Sequence, residues 1–171
     1  MAPSAKNRQP WKYIVYTRDG KQKLTDAMAK GIEREESGEA KFPDFRYGIA
    51  DAKNTVRVMR EAPVVIVVLN TNGKSPFIPV KEDGRIVEQC DALSIGASIQ
   101  NMLLRAQELG LGAVWLGTWP QMDRVEAQKK LFALPEAIVP HSIIALGYPE
   151  ADITAPRASR YEADRVHFNQ W

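Results

Sequence analysis

The stretch DALSIGASIQNMLLRAQELGLGAVWLGT, Asp91 to Thr118, decides the reading of this chain. Ala92, Ile95, Gly96, Ile99, Leu103, Ala106 and Leu109 recur at helical spacing, and Met102 and Leu104 widen the apolar surface beyond a single stripe. Such a helix has more than one face to bury. Gly96, Ala97 and Ala106 add little bulk, which suits either a core helix or a subunit interface. Gly110 supplies the left-handed residue that commonly ends a helix. Leu111 to Thr118 then reads as a buried strand entering a loop whose glycine, Gly117, lets backbone lie close to a ligand. A plain helix–turn–strand core unit accounts for the same residues.

Working outward, Val64 to Leu69 is an aliphatic run too short to span a bilayer and is expected to be a buried strand. Ahead of it, Ile49, Ala52, Val56 and Met59 mark an amphipathic helix stopped before Pro63. Lys12 to Arg18 has the β-branched and aromatic content of a strand, with Asp19-Gly20 as its closing turn and a helix over Lys21 to Glu35. The Gly and Pro residues between Asn70 and Asp83 predict a long loop. A helix from Asp123 to Ala133 and a last core strand from Ser142 to Tyr148 complete the pattern. Residues 150–171 form a polar tail whose Phe168 and Trp171 would be wasted in water, so the tail is expected to dock. Strands and helices interleave without strict alternation, which suggests one three-layer α+β domain spanning residues 1–171.

Composition excludes several classes. With 171 residues and 44% hydrophobic content there is material for one core, and a net charge of +2 from 23 basic and 21 acidic residues gives no general case for nucleic acid or an anionic membrane. The one cysteine, Cys90, cannot form an internal disulfide, and nothing at the N-terminus resembles a signal sequence, so a cytoplasmic home is expected. His141 and His167 stand far apart and outside any ligand-spaced cluster, which argues against metal catalysis. Cys90 lacks a local activating motif. Gly110-x-Gly112 is no dinucleotide fingerprint, because Trp115 occupies the third glycine position and the helix precedes the strand.

The N-terminal segment Ala2 to Trp11 is dense in hydrogen-bonding side chains just before a strand. Asn7 and Gln9 carry both donors and acceptors, which suits the mixed edge of a heteroaromatic ring, and their spacing places them on one side of an extended chain. Taken in isolation, the segment reads first as a polar leader with a turn.

Taken together, Pro-Ser-x-x-Asn-x-Gln-Pro-Trp at Pro3 to Trp11, Ile99-Gln100-Asn101-Met102-Leu103-Leu104, Leu109-Gly110-Leu111-Gly112 leading into Trp115-Leu116-Gly117, and Ala145-Leu146-Gly147-Tyr148-Pro149 resemble the nitroreductase family of FMN enzymes in content and order. The resemblance implies an α/β/α sandwich around a mixed, mainly antiparallel sheet, in a homodimer with flavin at the interface. It implies that Pro3, Ser4, Ala5, Asn7 and Gln9 contact the flavin ring or ribityl chain, that the backbone from Trp115 through Leu116 and Gly117 to Thr118 faces the reactive edge, and that Arg157 and Arg160 hold the phosphate. Solvated tail charges are the other reading of the two arginines. Phe42, Phe45 and the loop from Asn70 to Asp83 are candidates for the substrate wall. The activity implied is ping-pong transfer of electrons from NADH or NADPH through FMN to a nitroaromatic, quinone or similar small-molecule acceptor, with no catalytic side chain nominated. Family members normally begin with a further helix and an Arg-Arg-Ser segment that grips the phosphate, whereas Met1 here directly precedes Ala-Pro-Ser. The alternative is therefore a non-catalytic or weakly flavin-binding dimeric module with the same fold.

Overall fold

The computed structural model describes residues 2–38, 40, 43–72, 80–117, 130–135 and 138–150. The predicted helix over Asp123 to Ala133 falls almost wholly outside them, as do Phe42, Thr118 and the whole tail from 151.

Strand β1 (Trp11–Tyr16) leads into helix α1 (Arg18–Glu36), and a short 3-10 turn over Pro43–Gly48 precedes α2 (Ile49–Glu61) and β2 (Val64–Asn70). Helix α3 (Glu82–Glu108) then precedes β3 (Gly112–Leu116), and β4 (Val139–Gly147) ends the described core. The sheet order is β1-β2-β4-β3, with every pairing antiparallel. The mainly antiparallel character expected of the sheet is seen, and no parallel pair occurs among the described residues.

Strand periodicity builds the layers. Val65, Val67 and Leu69 of β2 join Ile143 and Ala145 of β4 against Leu24, Met28 and Ile32 of α1 and Ala52, Val56 and Met59 of α2. Ile66 and Val68, alternating with them, meet Ile95 and Ile99 of α3 together with Ile144. Two helices therefore cover one face of the sheet and one helix the other, as a three-layer α+β fold requires. Burying each of the Val, Leu, Ile and Met side chains is worth about 1.5–3 kcal/mol before chain entropy is counted.

Three local readings need correction. Asp19-Gly20 is not the turn that closes the first strand but lies inside α1, because the left-handed residue is Arg18 (φ +45°), with Thr17 preceding the helix and Asp19 complementing the dipole of its first turn. Gly20 is small for packing: a Cβ there would stand 3.4 Å from Tyr16 Cδ1. Helix α3 begins at Glu82 rather than near Asp91. Glu82 and Asp83 in its first turn and an Arg85–Glu88 ion pair of 2.6 Å support a polar turn that shows no apolar period. Finally β4 starts at Val139, before the expected Ser142. Its register skips His141, since Val68 pairs with Ser142 and Leu69 with Pro140. That bulge is what admits a proline into a central strand.

Candidate functional site

The N-terminal segment is folded, which overturns the expected extended chain. Ala5–Asn7 form a 3-10 turn, and Lys6 (φ 52°), Asn7 (φ 54°) and Gln9 (φ 48°) all adopt left-handed backbone. Non-glycine residues in that region are held there by their surroundings. Within the turn, Asn7 N–H donates to Ser4 O (2.9 Å), Arg8 N–H to Ala5 O (3.2 Å), and Gln9 N–H to Ser4 Oγ (3.0 Å). Gln9 Nε2 donates to Asn7 Oδ1 at 3.1 Å, so the two amides do meet, across a turn rather than along one side of a strand. Ser4 and Ala5 are half-buried, while Pro3, Asn7 and Gln9 are exposed.

Helix α3 holds this turn in place. Ala5 N–H donates to Ser94 Oγ (3.3 Å), and Ser94 Oγ itself donates to Cys90 O (2.6 Å). Arg8 Nη2 lies 2.9 Å from Oδ1 of Asp91, whose side chain is 1% exposed, and Asn72 Nδ2 donates to Asp91 Oδ2 at 2.7 Å. Four residues along the helix from Ser94, Ser98 bonds the Tyr13 hydroxyl. Asp91, Ser94 and Ser98 are the buried polar residues of α3, and all three face the N-terminal segment or β1. None of them, nor Arg8 and Asn72, stands out in the sequence as a functional residue. A polar residue within the apolar period, as at Asp91, Ser94 and Ser98, is the only local signal of a buried contact.

The second part of the site is the exit of β3. The buried strand expected here is corrected to an edge strand: Leu116 is buried, but Ala113, Val114 and Trp115 (45%) are exposed, and a Cβ at Gly117 would meet no described atom within 4 Å. Ser142 Oγ donates to Leu116 O (3.3 Å), fixing the backbone of this strand end. Trp115 leans on α3: a Cβ at Gly96 would stand 3.6 Å from the tip of its indole. The close neighbour that Gly96 admits is therefore an indole of the same chain. Because β3 pairs only with β4 among the described strands, its outer backbone groups face away from the sheet.

Trp11 and Leu116 lie on opposite edges of the sheet, and β3 runs toward the end where β1 begins but stops level with Ile14, through Ile143 and Val67. Three strand spacings separate those edges, roughly 14 Å. Arg157 and Arg160 lie outside the described residues, and the side chain of Phe45 is likewise not described.

Burial lowers the His141 pKa from its ordinary value of 6.5 and raises that of Tyr16 above 10.0. No described helix is long and apolar enough to cross a membrane.

The α+β sandwich thus clamps a hydrogen-bonding N-terminal turn to α3 and, among the described strands, leaves one edge of β3 unpaired. The sequence profile of the Nitroreductase family matches residues 1–148, and the chain belongs to that family. A protein of Methanothermobacter thermautotrophicus named "Putative NADH dehydrogenase/NAD(P)H nitroreductase" is 34% identical over 170 residues, covering 99% of this chain and 70% of its own. Among solved structures, a BluB-like flavoprotein from Clostridium difficile 630 is 27% identical with a TM-score of 0.68, covering 99% of this chain and 84% of that one. An FMN and NADPH-dependent nitroreductase variant from Sphigopyxis sp. strain HMH shares the fold, with a TM-score of 0.69 at 21% identity over 99% of this chain and 84% of that one.

Proposed function

We propose that this protein is an FMN-dependent oxidoreductase that passes electrons from NADH or NADPH to a nitroaromatic, quinone or similar acceptor by a ping-pong sequence, as a cytoplasmic homodimer. The observation that carries the reading is the Asn7–Gln9 amide pair on a turn locked to α3. Two neighbouring carboxamides offer both donors and acceptors, the set that the alternating carbonyl and N–H groups of a flavin ring require. Their exposure leaves those groups within reach of a ligand. The donor set thus fits the cofactor.

Ser4, Asn7 and Gln9, with backbone from Pro3 and Ala5, would hold the ring and ribityl chain. Backbone of Trp115, Leu116 and Gly117 would approach the reactive edge, its strand end pinned by Ser142. Thr118 beside that edge, and Arg157 and Arg160 at the phosphate, are assigned through the family motif, a role guanidinium suits by bidentate charge-assisted bonds. When bound, FMN supplies the redox chemistry, taking two electrons as hydride from the nicotinamide and giving them to the acceptor. The chain's own residues bind, orient and shield, and none is assigned a proton transfer. The dimer is supported by the apolar outer face of α3, and residues 150–171 would dock on the partner subunit.

A visible absorption spectrum with FMN titration tests the reading, followed by NADH and NADPH oxidation with a quinone or nitroaromatic acceptor. Flavin bands and acceptor-dependent turnover are expected. Replacing Asn7 and Gln9 together by Ala is expected to weaken FMN binding by about tenfold to a hundredfold, the worth of two or three hydrogen bonds. A folded protein that binds no FMN and oxidises neither nucleotide overturns the reading in favour of a non-catalytic module.

A further inference from the structure

Asp91 is buried beneath the N-terminal turn, and each of its carboxylate oxygens serves a different segment. Oδ1 accepts from Arg8, the residue between Asn7 and Gln9, and Oδ2 accepts from Asn72, where the chain leaves β2. Asn72 is itself fixed, its N–H donating to Asn70 Oδ1 at 2.8 Å, and Thr71 N–H reaches back to Pro10 O at 3.0 Å. A carboxylate with 1% side-chain exposure is tolerable only while its partners stay in place. Arg8, by contrast, keeps 37% of its side chain exposed, so charge neutralisation alone does not require the pairing from its side.

We propose that Asp91 is a positioning residue that ties the cofactor-facing turn to the exit of β2, so that the amide pair at Asn7 and Gln9 takes its binding geometry only while Asn72 is also docked. This rests on the reading of Asn7 and Gln9 as flavin ligands. Physically, the two partners cooperate because each lowers the cost of holding the same charge out of water.

The test has one arm without flavin and one with it. In flavin-free full-length protein, Asn72→Ala is expected to speed amide hydrogen exchange at Ala5, Asn7 and Gln9 by about tenfold, although Asn72 bonds none of them. Asp91→Asn is expected to do the same at that turn and at Asn72 together, and Arg8→Met replaces it if Asp91→Asn fails to fold. In FMN titrations, Asn72→Ala is expected to raise the Kd about threefold to tenfold, and Arg8→Lys to retain more affinity than Arg8→Met. A lysine rescue of that kind would not follow from bulk packing, because Met and Lys carry similar stems. Unchanged exchange at the turn in Asn72→Ala overturns the proposal, as does an Asn72→Ala Kd equal to that of the parent. A parent protein that binds no FMN removes the functional reading, while the exchange arm still decides the role of Asp91.

Discussion

At the scale of single residues, the bulge at His141 shows how one side chain acquires a measurable property. Pro140 has no N–H to give to the ladder, the register slips past His141, and the imidazole ends half-buried with its pKa lowered by desolvation. In the unfolded chain the ring takes a proton near 6.5, whereas the folded chain resists protonation until a lower pH. Between those values the unfolded state holds more protons, so stability falls as pH drops through 6.5 and is independent of this group well above it. His141→Gln is expected to flatten that slope, read as a smaller change in Tm between about pH 7.5 and about pH 5.5. An identical slope in the variant would assign the acid sensitivity to other groups.

At the scale of elements, what was legible in the sequence was what local pattern controls. The core of α3, its end at Gly110 (φ +73°) and the strands around Val67 and Ile144 follow from periodicity and from one residue's backbone freedom. Gly147, part of the family motif, has an equally concrete cause: a Cβ there would sit 2.9 Å from Cδ of Pro63, in the tight link between α2 and β2. Gly147→Ala is expected to cost about 1–3 kcal/mol, read from chemical denaturation, because neither the proline ring nor the paired strand end yields easily. A variant as stable as the parent would mean that the link shifts freely. The way the N-terminal turn is built was not legible. Asn7 and Gln9 are visible as residue types, but their left-handed backbone belongs to a turn that closes on Ser4 and is tied to α3 through Ala5 and Arg8, and Arg8 meets Asp91 across 83 positions of sequence. No short-range pattern encodes such a pairing. The first turn of α3 escaped for the opposite reason, being held by charge where apolar spacing is silent.

At the scale of the whole molecule, the outer face of α3 poses the main unanswered demand. Ile86 (67% exposed), Leu93 (75%) and Leu104 (60%) lie seven and eleven residues apart, both close to whole turns, so they form one stripe along the helix. Scattered exposed leucines need no explanation, but an aligned apolar stripe on the helix that carries the site does. The two halves of the candidate site stand on opposite sheet edges, roughly 14 Å apart by strand spacing. A two-fold contact along α3 would cover the stripe on both copies and allow the turn of one subunit to face the β3 exit of the other. On that arrangement, Leu93→Glu combined with Leu104→Glu places like charges in an apolar contact, and mass measured by light scattering is expected to fall from dimer to monomer. FMN affinity is expected to fall with it, by about tenfold or more, since each half-site alone supplies only part of the hydrogen bonds. Titrating FMN over a range of protein concentrations separates the causes: affinity that recovers as the dimer re-forms ties the cofactor to both subunits. A monomeric parent that binds FMN as tightly as any dimer would instead place the whole site within one chain.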